Sequence, residues 1–291
     1  MQKYLLPVLL LFLTLGFSLE AKSLLYKVRS KTSTVYVLGS IHLAKPELYP
    51  LNEEITHAYK NSDALVVEVN PSSAESEQTM QKAMMSLGMY KEGKTLKTEL
   101  TPKTYKALEV YIAKTSIPLQ KMQGMRPWVV MVQLTITEMM RLGYSPDLGI
   151  DQHFLNLAMQ DKKEVLELET AQQQMELLSK EDPEFQDKLL YYTLESMQDL
   201  EPMLEDMYKG WKSGDEKAFE KIMMSPVEED PSLKDMYDEL ITKRNYAMTE
   251  KIEGFLKTNK DYFVVVGSGH VIGEEGIVAL LRGKGLRVTQ R

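Results

Sequence analysis

Short runs of β-branched and apolar residues stand at both ends of this chain, and a long stretch of helical periodicity separates them. Ser23–Val28 and Thr34–Leu38, split by a polar Arg29–Ser33, read as a β-hairpin. Leu51–Lys60 spaces its apolar residues as an amphipathic helix does, and Asn61-Ser62-Asp63 ends it. Ala64–Val69 is apolar on both faces, the mark of a buried strand, and carries one charge, Glu68, near its end. Pro71 to Gly93 reads as helix and loop. Thr101 and Pro102 supply an N-cap and a first-turn proline for a helix to about Lys114. Trp128–Leu142, opened by Pro127, is apolar nearly all round and is expected to be buried. After the turn-rich Gly143–Gly149, a helix from Asp151 to Met159 precedes a third internal strand, Glu164–Leu168.

From Ala171 to Leu256 the spacing is helical. Breaks are expected at Pro183, Pro202, Pro226 and Pro231, and the last long helix at Leu233–Lys257. The chain closes with a strand at Tyr262–Val266, a Gly-rich turn, a helix at Ile272–Leu281 and a strand at Leu286–Thr289. Strands interleaved with helices predict a mixed α/β fold. Residues 22–291 form one domain in this reading. Its central sheet comes from the N- and C-terminal parts. About residues 71–258 form a mostly helical insertion or lid, with a strand near 164–168.

Residues 1–21 follow a different pattern. Lys3, a nearly unbroken apolar run from Leu5 to about Phe17, and Leu19-Glu20-Ala21 before Lys22 predict a cleaved signal peptide, hence a secreted or periplasmic protein. The run is shorter than the roughly 20 apolar residues of a membrane span, and a retained N-terminal anchor is the alternative. No later segment is apolar enough to cross a bilayer. The formal net charge of −7, with no basic patch, argues against nucleic acid as a partner. Cysteine is absent, so disulfides, a thiolate nucleophile and a Cys-based zinc site are excluded. A metal would have to be held by histidine, carboxylate and water.

Four histidines occur in the chain, and two share one setting. Val35-Tyr36-Val37-Leu38 runs into Gly39-Ser40-Ile41-His42. Phe263–Val266 runs into Gly267-Ser268-Gly269-His270. Each histidine lies just past the carboxyl end of an apolar strand, where open α/β sheets place their ligands. With Glu68, they make a plausible facial set of three metal ligands that leaves positions open for water and substrate. The amides of Gly267–Gly269 offer an anion or oxyanion site, and a phosphate-binding turn with an incidental His270 stays open. No H-E-x-x-H, G-x-S-x-G, P-loop or dinucleotide fingerprint is present. A Met and Tyr stripe (Tyr191, Tyr192, Met197, Met203, Met207, Tyr208) reads as core or as a Met-lined receptor face.

LLYKVRSKTSTVYVLGSIHLAKPELYPLNEEITHAYKNSDALVVEVN and FVVVGSGHVIGEEGIVALLRGKGLRV together resemble the TraB/GumN family, which includes the TIKI proteins. The resemblance rests on the two G-x-x-H motifs, the strand-end Glu68, Gly149-Ile150-Asp151, Leu168-Glu169-Thr170 with Gln174, and Arg244-Asn245, all in order. It implies an α/β core with helical additions, related to erythromycin-esterase and ChaN-like proteins. It also implies a metal-dependent peptidase activity with manganese or cobalt; a His and carboxylate set would equally take zinc. On the resemblance, His42, Glu68 and His270 become the metal or catalytic set. Arg244 becomes an orienting or oxyanion group, and Glu169 and Asp151 become partners or proton shuttles. Ser40, Ser268, Gly269 and Asn245 are the candidates for substrate binding. Asn70 stands where a second acidic residue often follows in the family, which points to one ion rather than two. The expected function is a metal-dependent hydrolase acting on a peptide or protein. A metal-independent esterase-like hydrolase with a histidine base, and a non-catalytic binder of a peptide signal or metal–porphyrin, remain the alternatives.

Overall fold

Six strands form one sheet in a computed structural model that describes residues 23–291 apart from positions 92 and 181. The expected signal lies outside the described residues. The strands are β1 (Leu25–Arg29), β2 (Thr34–Ser40), β3 (Ala64–Val67), β4 (Glu164–Glu167), β5 (Tyr262–Gly267) and β6 (Val288–Gln290). Their order across the sheet is β4-β3-β5-β2-β1-β6. β4, β3, β5 and β2 run parallel, while β1 is antiparallel to both β2 and β6. β5 lies at the centre and all six of its residues are buried, as its continuous apolar run requires of a strand covered on both faces. β4 forms the edge, and its exposed Glu164 and Glu167 suit that place.

Helices fill the rest. The first half carries α1 (Glu53–Lys60), α2 (Ala74–Leu87), α3 (Leu96–Glu99), α4 (Pro102–Ile112), α5 (Pro127–Arg141) and α6 (Ile150–Asp161). After β4 come α7 (Ala171–Leu178), α8 (Pro183–Ser196), α9 (Leu200–Ser213), α10 (Glu216–Glu229), α11 (Lys234–Tyr237) and α12 (Lys243–Phe255). Two short helices, α13 (Ser268–Val271) and α14 (Ile277–Gly283), flank the final turn. The sheet packs with α1, α6 and α12 in one core. Leu96, Leu108, Val130, Leu134, Leu190 and Leu204 belong to a second core inside the helical block. The insertion is therefore a packed body in its own right, thicker than a lid.

Several expected boundaries move. β3 stops at Val67 rather than Val69, because the chain turns where Glu169 N–H meets the Glu68 carbonyl (2.8 Å). The expected helix at Ile272–Leu281 divides, with its first turn already formed at Ser268–Val271 and a second start after Gly276. Gly273 sits at φ 89° between them, a conformation that ends a helix. Pro202 and Pro226 do not break helices. Pro202 falls in the first turn of α9, where no helical N–H is needed, and Pro226 lies in the last turn of α10. α5 is buried along Trp128, Val130 and Leu134, but Ile136 and Met140 are exposed, so it is not enclosed all round. The expected helix Leu233–Lys257 contains a single wide π turn, Asp238–Thr242.

Candidate functional site

Parallel pairing of β2 with β5 and of β5 with β3 puts three strand ends side by side. The two G-x-x-H turns leave adjacent strands. Gly39 lies so close to Ser268 that a Cβ at position 39 would stand 2.9 Å from the Ser268 Oγ. Only glycine allows that approach. The Ser268 hydroxyl donates to the Ser40 carbonyl (2.9 Å), and both serines are buried. They stitch one turn to the other. The hydroxyl of Ser268 is thus committed to protein, and Ser40 is covered.

Glu68 follows β3 directly. Its Oε1 accepts the Gly267 amide (2.6 Å) and its Oε2 accepts Arg244 Nη2 (2.9 Å). Arg244 also grips Glu169 bidentately, Nε to Oε1 at 2.8 Å and Nη2 to Oε2 at 2.7 Å, and Nη1 donates to the Leu240 carbonyl (2.9 Å). Gln174 Nε2 reaches both carboxylates, at 3.4 Å from Glu68 and 3.1 Å from Glu169. Burial works against ionisation of Glu68. The charges of His42 and Arg244 and the Gly267 amide outweigh it and hold the carboxyl below the usual range. Arg244 has four of its hydrogen bonds spent inside the protein. These bonds make it a positioning residue for two carboxylates. The wide turn at Asp238–Thr242 immediately precedes Arg244 and Asn245, and such turns recur at functional sites.

Asn245 lies behind His270 and is 1% exposed, with its side chain turned to protein partners. Its Nδ2 donates to the Glu275 carbonyl (2.8 Å), which turns Oδ1 toward His270 Nδ1 (2.6 Å). That arrangement assigns the ring hydrogen to Nδ1 and leaves a lone pair on Nε2. His270 Nε2 lies 4.0 Å from Glu68 Oε1. Desolvation lowers His270 to about 4, so the ring is neutral at ordinary pH.

His42 has the opposite balance. The chain at Gly149 runs so near that a Cβ there would fall 2.3 Å from the His42 carbonyl oxygen. Ile150 N–H bonds the Ile41 carbonyl (3.0 Å), and Asp151 Oδ1 arrives 3.1 Å from His42 Nδ1. Asp151 therefore does more than begin α6. Desolvation of the His42 ring opposes protonation, but the Asp151 bond and charge, with Glu68, raise it to about 9. The His42 side chain is 58% exposed and is the open side of the cleft.

Three of these side chains pass close to Gly267. A Cβ built on Gly267 would stand 3.3 Å from Glu68 Oε1, 3.4 Å from His42 Nε2 and 3.7 Å from His270 Cδ2. Among the described residues, no group of three or more His, Asp or Glu side chains is already arranged to hold a metal ion. Gly269 lies against α10, where a Cβ would meet the Met223 methyl at 2.7 Å. Trp211 Nε1 on α9 donates to the Gly39 carbonyl (2.7 Å). Neither contact was foreseen. A tryptophan in a helix of ordinary amphipathic pattern gives no sign of what its N–H meets.

The chain matches the TraB/PrgY/gumN family over residues 24–290. The "Uncharacterized protein YbaP" of Escherichia coli (strain K12) is 26% identical over 247 residues, covering 85% of this chain and 87% of its own length. The protein of the same name from Shigella flexneri matches to the same extent. No solved structure matches the chain.

Proposed function

This chain belongs to the TraB/PrgY/gumN family, and from that premise we propose that it is a metal-dependent hydrolase with peptides or proteins as its substrate class. The observation that carries the reading is the convergence of His42 Nε2, Glu68 Oε1 and the His270 ring around Gly267. The donor chemistry fits a divalent ion of the manganese, cobalt or zinc type. Both imidazoles are anchored at Nδ1, by Asp151 and Asn245, as metal-bound histidines almost always are. His42, Glu68 and His270 would hold the ion, which when bound polarises a scissile carbonyl and lowers the pKa of a water toward 7. Arg244, Gln174 and the Gly267 amide keep Glu68 ionised and fixed. Asn245 keeps the His270 lone pair on Nε2. Glu169 holds the guanidinium in place. The expected signal at residues 1–21 would put this activity in the periplasm or outside the cell.

Metal analysis after exposure to manganese, cobalt or zinc, together with turnover of a peptide library, tests this on wild type and His270→Ala. Loss of both metal and turnover in the variant is the expected result. Equal metal content and equal turnover in the two proteins reject it. A second reading draws on the exposed His42 paired with Asp151 at 3.1 Å, an arrangement suited to acid–base work on water without an ion. Turnover that survives exhaustive chelation and is abolished in Asp151→Asn selects that version.

A further inference from the structure

α8, α9 and α10 enclose a groove of about 1070 Å³ on the helical block, away from the strand ends. This lies at the upper limit of the roughly 300–1,000 Å³ that small-molecule pockets occupy. Six carboxylates and three lysines line it. Groups of both signs are already engaged: Lys209 pairs with Asp206 (3.3 Å), Lys103 sits 3.9 Å over the Tyr191 ring, Asp215 accepts the Ala218 amide (3.0 Å), Glu229 accepts the Ser225 hydroxyl (3.1 Å) and Asp230 accepts the Tyr192 hydroxyl. Glu195 and Asp199 are exposed, and neither has an ion-pair partner among the described residues. Apolar and aromatic surface from Tyr191, Met203 and Ile222 lies between these charges. Pro226, also in the lining, has no amide hydrogen, so the Ile222 carbonyl lacks its i+4 helical donor.

We propose that this groove docks a cationic, amphipathic peptide segment. The surplus of carboxylate supplies the charge complement for lysine or arginine. Tyr191, Met203 and Ile222 supply adaptable apolar contact, for which methionine is well suited. The Ile222 carbonyl, which Pro226 deprives of its i+4 donor, supplies an acceptor for a backbone or side-chain N–H. Two of the helices that line the groove also touch the G-x-x-H turns. Trp211 on α9 holds the Gly39 carbonyl, and Met223 on α10 rests on Gly269. The proposal stands whether or not the cleft is hydrolytic.

The test uses a fluorescein-labelled dodecapeptide alternating Lys and Leu and a matched Glu and Leu peptide, with binding followed by anisotropy. Wild type is expected to bind the Lys peptide, and the Glu195→Lys/Asp199→Lys variant to bind it at least tenfold more weakly while gaining affinity for the Glu peptide. Glu75→Lys/Glu77→Lys, which makes the same charge change on α2, is expected to leave the Lys peptide affinity within about twofold. No binding by wild type overturns the proposal. So does an equal loss in the two variants, which would mean that net charge alone attracts the peptide. So does unaltered binding by Glu195→Lys/Asp199→Lys.

Discussion

β5 passes between β2 and β3 with every side chain covered, and the groups at its end are fixed by directional bonds: Gly267 to Glu68, Arg244 to Glu68 and Glu169, Asn245 to His270. In the helical block, α4, α5, α8 and α9 meet through Leu, Met and Tyr, while the charges pair along the surface, as Arg141 does with Glu138 and Lys188 with Glu184. The first region holds atoms at set places. The second tolerates adjustment, since methionine and leucine fill space without demanding one geometry. A site that must place several donors around one point belongs on the first, and a groove that must accept varied side chains belongs on the second.

The largest expected effect attacks the rigid side. Arg244→Ala leaves Glu68 and Glu169 as unpaired, mostly buried charges and should cost about 3–5 kcal/mol in a denaturant titration. The surface counterpart, Arg141→Ala, should cost far less, because water screens its pairing with Glu138. Comparable losses would erase the distinction. Next comes pH, measured on the metal-free protein. His270 is held at about 4 in the fold against an ordinary 6.5, so it adds full stability above pH 6.5. That stability is lost as pH falls from 6.5 toward 4, by about 3 kcal/mol in all, since one pKa unit is worth about 1.4 kcal/mol. His270→Gln should flatten the profile across that window, and an unchanged slope would mean that other groups carry it. The smallest effect sharpens the soft side. Met139→Leu, within the helical core, should shift stability by less than about 1.5 kcal/mol by thermal melt. A larger loss would show that this core is as exacting as the sheet.

What the sequence disclosed follows the same division. β2, β3 and β5 were legible because strands covered on both faces must be apolar throughout, and the G-x-x-H turns mark their ends. His42, Glu68 and His270 were legible as a set for that reason. Asp151 was named only through the family resemblance, because His42, its partner, lies over a hundred residues earlier in the chain. The protein partners of Asn245 and Ser268 were not legible, since residue type does not tell which face of a turn is covered. Proline misplaced two helix breaks because its cost depends on where in the helix it falls.

The strand order β4-β3-β5-β2-β1-β6 has a consequence for synthesis. β2 and β3 never pair with each other; the strand that joins them is the last but one to leave the ribosome. Until Tyr262–Gly267 emerges, the nascent chain holds a hairpin and a β3–β4 pair with bare edges, the kind of surface that invites mispairing and chaperone capture. A chain ended before Tyr262 should leave the amides of β2 and β3 open to hydrogen exchange, whereas the full chain should protect them. The ligand-bearing cleft is thus among the final events of folding, and no partly synthesised molecule can carry it.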